Sequence, residues 1–180
     1  MADHTSKTPL EHRDSWRTPP ALFEYFNRRF DFKADIAACK ENALCELFYS
    51  EENSALDQTW EVPTLSYVWC NPPYSDIGPW VRAAAKHSKS GIGCVMLVPA
   101  DQSVGWFKES LLSASEIIII TGGRLAFINA ATGKPVTGNN KGSQLLVWQP
   151  FNDTPIQTKY IERDYILTTG TKLIDARSAA

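Results

Sequence analysis

The sequence lacks most of the short signatures that announce a binding or catalytic class. There is no G-x-G-x-x-G run and no Walker lysine motif, so neither a dinucleotide fold of the usual kind nor a P-loop nucleotide hydrolase is supported. The four cysteines, Cys39, Cys45, Cys70 and Cys94, form no C-x-x-C pair. Cys70 and Cys94 lie in apolar runs and read as buried free thiols. The three histidines, His4, His12 and His87, are scattered and no H-E-x-x-H pattern exists, so no metal site is expected. No apolar run approaches the roughly 18 residues of a membrane span, and the polar start has no signal-peptide core, so a cytoplasmic protein with no membrane partner is expected. A formal net charge of -2 excludes a uniformly basic nucleic-acid binder, but it leaves room for a local basic patch. No internal repeat is present.

What remains is an ordinary globular composition, 43% hydrophobic and 21% charged over 180 residues, which fits one domain. Residues 1–15 are polar, carry no periodicity and read as a flexible tail. Thr18 is placed to cap a helix with Pro19 in its first position, and Leu22, Phe26 and Phe30, with Phe23, form its apolar face. Phe30 to Ala38 alternates as a strand does, and Asp35 near its end is a carboxylate in apolar surroundings that needs a partner. Leu44 to Tyr49 reads as a second strand, followed by Ser50-Glu51-Glu52-Asn53. The apolar run Tyr67-Val68-Trp69-Cys70 is a third, and the adjacent prolines Pro72 and Pro73 stop it by removing backbone donors. Asn71 and Tyr74 are thereby held at a strand's carboxyl end, where ligands bind in open α/β sheets. A helix from Ile77 to about Lys89, a wholly apolar strand Cys94–Pro99, a helix through Phe107, a strand Ile117–Ile120 and a last apolar strand Gln144–Trp148 follow. That recurrence predicts an α/β fold with a largely parallel sheet flanked by helices. The segment 151–165 is mixed and polar, and 166–180 reads as a C-terminal extension.

Taken in order, these pieces resemble the phage-type DNA N-6-adenine methyltransferase family, related to Dam, over roughly residues 16–148. Trp16-Arg17-Thr18-Pro19 is similar to the family's opening W-x-T-P element, and Asp35-Ile36-Ala37-Ala38 to its D-x-A-A form of the first cofactor motif. Asn71-Pro72-Pro73-Tyr74 corresponds to the catalytic (D/N/S)PP(Y/F) element. Leu97-Val98-Pro99-Ala100, Trp106-Phe107 and Gly123-Arg124-Leu125-Ala126-Phe127 fit later segments. Two departures stand out. The first cofactor motif has no Gly-rich turn, so Ala37 and Ala38 must allow close backbone approach. The stretch available for sequence recognition, about Arg124 to Ser143, is short.

The resemblance implies a single-domain, Rossmann-like methyltransferase fold over 16–165, with a short DNA-recognition insert at 124–143. It implies S-adenosyl-L-methionine as cofactor and DNA as partner, with no metal. Asn71 and Pro72 are then acceptors for the N6 amine, backed by Pro73, and Tyr74 stacks on an adenine flipped out of the duplex. Trp16, Thr18, Pro19, Asp35, Ala37, Ala38 and Asn71 fall on the cofactor side. Glu51 or Glu52 would hold the ribose hydroxyls, with Asp57 near the adenine ring. Arg124, Lys134, Asn139, Asn140 and Lys141, in a loop rich in Gly, Asn and Lys, are the candidates for DNA contact. The Asn-Pro-Pro-Tyr strand end also suits a cytosine-N4 or a protein-glutamine methyltransferase, or a DNA-binding relative without the chemistry. The oligomeric state is left open, a monomer among the alternatives.

Overall fold

The longest apolar runs, Gly93–Pro99 (β5) and Ser143–Trp148 (β9), are buried almost end to end and pair with each other inside a seven-stranded sheet. Strands buried on both faces need helices on both sides. Cys94, Met96 and Val98 of β5 and Leu146 and Trp148 of β9 face one way. There they pack with Val81 and Ala84 of helix α2 (Gly78–Lys89) and Phe107 of α3 (Gly105–Ser110). Val95, Leu97, Leu145 and Val147 face the other way. They meet Leu22, Phe23, Phe26 and Phe30 of α1 (Pro20–Phe30) and Ile166 of α4 (Arg163–Ser178). The period-two alternation of strand side chains is what divides the core into these two layers.

This computed structural model describes residues 16–129, 132–136 and 141–179. In the large sheet the order is β10 (Gln157–Glu162), β6 (Glu116–Thr121), β9, β5, β4 (Tyr67–Cys70), β2 (Phe32–Asp35) and β3 (Leu47–Phe48). The pairs β10–β6, β5–β4, β4–β2 and β2–β3 are parallel, whereas β9 runs antiparallel to both of its neighbours. The architecture is thus a mixed α/β single domain with a largely parallel central sheet flanked by helices. A second, antiparallel sheet joins β1 (Trp16–Arg17), β7 (Phe127–Asn129) and β8 (Pro135–Val136) in the order β1-β7-β8.

Several boundaries differ from the sequence reading. Pro19, not Thr18, stands at the N-cap of α1, and its carbonyl accepts the Leu22 and Phe23 amides at 3.0 and 3.2 Å. The Gln144–Trp148 strand is not the last, because β10 and α4 follow it. β10 is an edge strand whose residues are almost all exposed, so no apolar alternation betrays it. α4 packs on α1 through a small residue instead of a broad apolar stripe: a Cβ on Gly170 would come within 1.8 Å of the Ala21 carbonyl oxygen.

Candidate active site

In the chain, β2 is followed by β3 on one side, and β4 on β2's other side is followed by β5 still further away. The strand order therefore reverses between β2 and β4, and such a reversal opens a crevice outside the carboxyl ends of the two strands. Asp35 is the last residue of β2 and Asn71 directly follows β4. Asp35 pairs with Trp69 in the register, so Asn71 comes two residues beyond that pair. The two residues that the sequence singles out as an odd carboxylate and a strand-ending amide stand at the ends of the two adjacent strands where the order reverses.

Asp35 is 3% exposed. Its Oδ2 accepts the Leu44 amide at 3.2 Å and its Oδ1 accepts the Ala37 amide at 3.4 Å, so one carboxylate holds both ends of the loop 37–44. Its backbone is also fastened, since the Asp35 carbonyl accepts the Tyr49 amide at 2.9 Å and the next amide, Ile36, donates to Trp69 at 2.9 Å. Burial pushes the Asp35 carboxyl up to about 7, and the Leu44 and Ala37 amides pull it back only in part. None of the described cations pairs with it. A buried carboxylate in that condition is electrostatically matched to a positively charged ligand group.

Across the crevice, the Asn71 side-chain oxygen is itself buried. Pro72 is buried, and among the described residues no group donates a hydrogen bond to its carbonyl, while the Pro73 carbonyl takes the Asp76 amide at 3.4 Å. Tyr74 packs against both core layers and meets Phe127 of β7 edge to face, with ring centroids 6.2 Å apart and planes at 89°. Its hydroxyl is buried with no hydrogen-bond partner among the described residues, and burial drives its pKa well above the ordinary phenol value. β1 closes this end of the molecule: Trp16 pairs with Asn129 and Arg17 with Ile128, which ties the Trp16–Pro19 opening to the Gly123–Phe127 run. Thr18, which follows β1, is buried at 5% exposure.

The comparison with known proteins decides among the acceptors that this strand end leaves open. A family model described as DNA N-6-adenine-methyltransferase (Dam) matches residues 5–173. The chain belongs to that family. It is 38% identical over 172 residues to the DNA N-6-adenine-methyltransferase of Escherichia phage T1, covering 87% of this chain and 71% of the relative. It is 34% identical over 148 residues to that of Haemophilus phage HP1, covering 81% and 84% respectively. Membership carries the family's activity, site-specific methylation of adenine N6 in DNA by an enzyme dependent on S-adenosyl-L-methionine.

Other residues that the sequence nominates are distributed unevenly around this methyltransferase's crevice. Ala37 lies in the loop that Asp35 holds, and the Ala38 amide donates to the Tyr49 carbonyl at 3.0 Å. Glu51 and Glu52 form an exposed 3-10 turn after β3, at the same end of the sheet but one strand further out. Asp57 is exposed in the following turn. Arg124 is exposed, and its carbonyl accepts from Arg163 Nη1 at 3.1 Å. Lys134 is exposed in the turn between β7 and β8. Lys141 is drawn into an ion pair with Asp101, which also accepts the Ser103 amide at 3.0 Å and its hydroxyl at 2.6 Å. Asn139 and Asn140 lie outside the described residues, as do 1–15, and of Trp16 only the backbone pairing is described. Sequence reasoning passed over Arg17 and Asp101. Each stands next to a motif residue at an end of a strand, and that position was the available signal.

Proposed function

We propose that this enzyme carries out its methyl transfer at the crevice between the carboxyl ends of β2 and β4, with Asn71 and Pro72 as acceptors for the adenine amine. The observation that carries the reading is the reversal of strand order there, with Asp35 on one lip and Asn71 on the other. The same observation supports a Rossmann-like methyltransferase fold, as does a sheet parallel throughout except at β9.

The N6 amine is a weak nucleophile because its lone pair is delocalised into the purine ring. The Asn71 side-chain oxygen and the Pro72 carbonyl accept its two hydrogens, which favours pyramidal nitrogen and the positive charge that grows on it. Fixed dipoles aimed at developing charge are usually the largest catalytic contribution. Asn71 cannot act as a base, so the proton leaves by another route after or during transfer. S-Adenosyl-L-methionine, when bound, supplies an activated methyl group on a sulfonium centre. The donor set fits it: Asp35 is a buried carboxylate in need of a cation, and the small side chains of Ala37 and Ala38 leave the loop backbone accessible. Thr18, Pro19 and the Trp16 segment border the cofactor. Glu51 or Glu52 serves the ribose and Asp57 the adenine end. The target base is flipped out of the duplex and stacks on Tyr74. Arg124, Lys134 and Lys141, with Asn139 and Asn140, contact the DNA, and the catalytic unit spans 16–165 with its recognition insert at 124–143.

Incubation with radiolabelled cofactor and mixed-sequence DNA, followed by nucleoside analysis, tests this site. The label is expected on 6-methyladenine and is expected to be lost in Asn71→Ala with the melting temperature preserved. An Asn71→Ala protein as fast as the parent would remove Asn71 from the chemistry.

A further inference from the structure

The connection from β3 to β4 carries little regular structure. Both strands are parallel to β2 and lie on its two sides, so residues 49–66 run from the carboxyl end of the sheet back to its amino end. A parallel crossover usually makes this journey with a helix. Here the regular structure among the described residues is the three-residue turn Glu51–Asn53 alone. That turn and the one after it carry Glu51, Glu52 and Asp57, all exposed. With so few backbone hydrogen bonds in the segment, side chains have to fix where those carboxylates stand.

They do so through Trp60. Its indole is 1% exposed, and its Nε1 donates to the Ala55 carbonyl at 3.0 Å, which closes the segment 55–60 on itself. Gln58 Nε2 donates to Asn53 Oδ1 at 2.8 Å and to the Ser54 carbonyl at 2.9 Å, which ties that segment to the Glu51–Asn53 turn. The face of the indole rests on the imidazole of His87 in α2, with ring centroids 3.8 Å apart and planes 5° from parallel. His87 is a fixed base for it. The ring is buried, and its Nδ1 donates to the Ala83 carbonyl at 2.9 Å, because a carbonyl can only accept. Its own carbonyl takes the Ser90 and Ile92 amides at 2.9 and 3.0 Å, just before β5. A branched aliphatic side chain would fill the same core position, but a flat ring against a flat ring fixes orientation as well as depth.

We propose that His87 is a positioning residue for methyl-donor binding: stacked under Trp60, it sets the loop 50–61 and with it the Glu51, Glu52 and Asp57 carboxylates at the adenosine end of the donor. The inference rests on the reading that these carboxylates serve the donor's adenosine. It places control of that end on α2, away from the reacting atoms.

His87→Leu fills the position without a flat ring, and His87→Phe keeps the ring. Calorimetric titration of the full chain with S-adenosyl-L-homocysteine and with methylthioadenosine, which shares only the adenosine end, tests the assignment beside steady-state kinetics on mixed-sequence DNA. His87→Leu is expected to weaken both ligands equally, by roughly 3- to 10-fold, the range that an aromatic pair implies. It is expected to raise the KM for the donor by the same factor and to leave kcat unchanged, as a loss of uniform binding does. His87→Phe is expected to restore the parent values, and His87→Gln, a second ringless variant, to match His87→Leu. A His87→Leu protein that melts lower yet binds both ligands as the parent does overturns the inference and leaves His87 as core packing. A fall in kcat with the donor KM unchanged overturns it too, as does a loss confined to S-adenosyl-L-homocysteine. If a protein carrying Glu51→Gln, Glu52→Gln and Asp57→Asn together binds both ligands as the parent does, the reading of the loop fails first, which separates the two failures.

Discussion

The hydroxyl of Tyr74 is buried and unanswered by any hydrogen-bond partner among the described residues. A donor in that position costs about 1–3 kcal/mol relative to one in water. Deleting it should therefore help the fold: Tyr74→Phe is expected to melt at the same temperature as the parent or higher. It should also keep its methyl transfer, because in the proposed site the ring and not the hydroxyl stacks on the base. Tyr74→Ala removes the ring and its edge-to-face contact with Phe127, and is expected to lose both stability and at least 10-fold in turnover, in line with roughly 1–3 kcal/mol per stacked base. Thermal melts and single-turnover rates on the two variants check this. Asp35 supplies a pH signature. Its folded pKa, pushed up to about 7 by burial, lies above the unfolded carboxylate value, so the folded state holds the extra proton between them. Its contribution to stability is complete at pH values below the unfolded pKa and is lost as pH rises through about 7. Denaturant melts of the parent should show that slope, and Asp35→Asn should flatten it. If the donor's ammonium neutralises Asp35, ligand binding near pH 7 should also release a proton, measured by calorimetry in buffers of different ionisation enthalpy.

At the scale of elements, the join between α1 and α4 is the most sensitive contact. Gly170→Ala would drive a methyl group into the Ala21 carbonyl, and backbone cannot move aside as a flexible side chain does. The expected cost is about 1–3 kcal/mol or more, read as a shift in the urea midpoint with an unchanged slope. Glu116 performs a related fastening at the other end of α1: 2% exposed at the start of β6, it receives Nη1 and Nη2 of Arg29, at 3.1 and 2.6 Å, and Lys159 of β10 at 2.9 Å. The elements with a strong period were legible in the sequence. α1 shows its apolar face as Leu22, Phe23, Phe26 and Phe30, and β4, β5 and β9 are continuous apolar runs. β10 and α4 were not legible, for a physical reason. An edge strand with Tyr160 at 69% exposure has no buried face to pattern, and a helix that docks through Gly170 replaces an apolar stripe with a close backbone contact. The antiparallel sense of β9 was equally hidden, since a strand buried on both faces reads the same in either direction.

For the molecule as a whole, a net charge of -2 means that DNA must be met by a local arrangement of cations and not by the general field. Arg124 and Lys134 are exposed around β7 and β8, while Lys141 is engaged with Asp101. Arg124→Ala and Lys134→Ala are each expected to weaken duplex binding and to reduce the slope of log affinity against log salt by about 0.9, measured by fluorescence anisotropy over a salt series. The family was determined by the sequence alone, and so were the Asn71-Pro72-Pro73-Tyr74 and Asp35-Ile36-Ala37-Ala38 motifs that point to it. They are written in short runs of contiguous residues whose chemistry does not depend on what lies beside them. Only the tertiary structure decided that Asp35 and Asn71 stand at adjacent strand ends where the strand order reverses, because a strand order is a fact about distant segments. It alone decided that the opening segment pairs with β7. It alone showed that Lys141 is tied to Asp101, since burial and pairing are what convert a charge from surface decoration into a constraint.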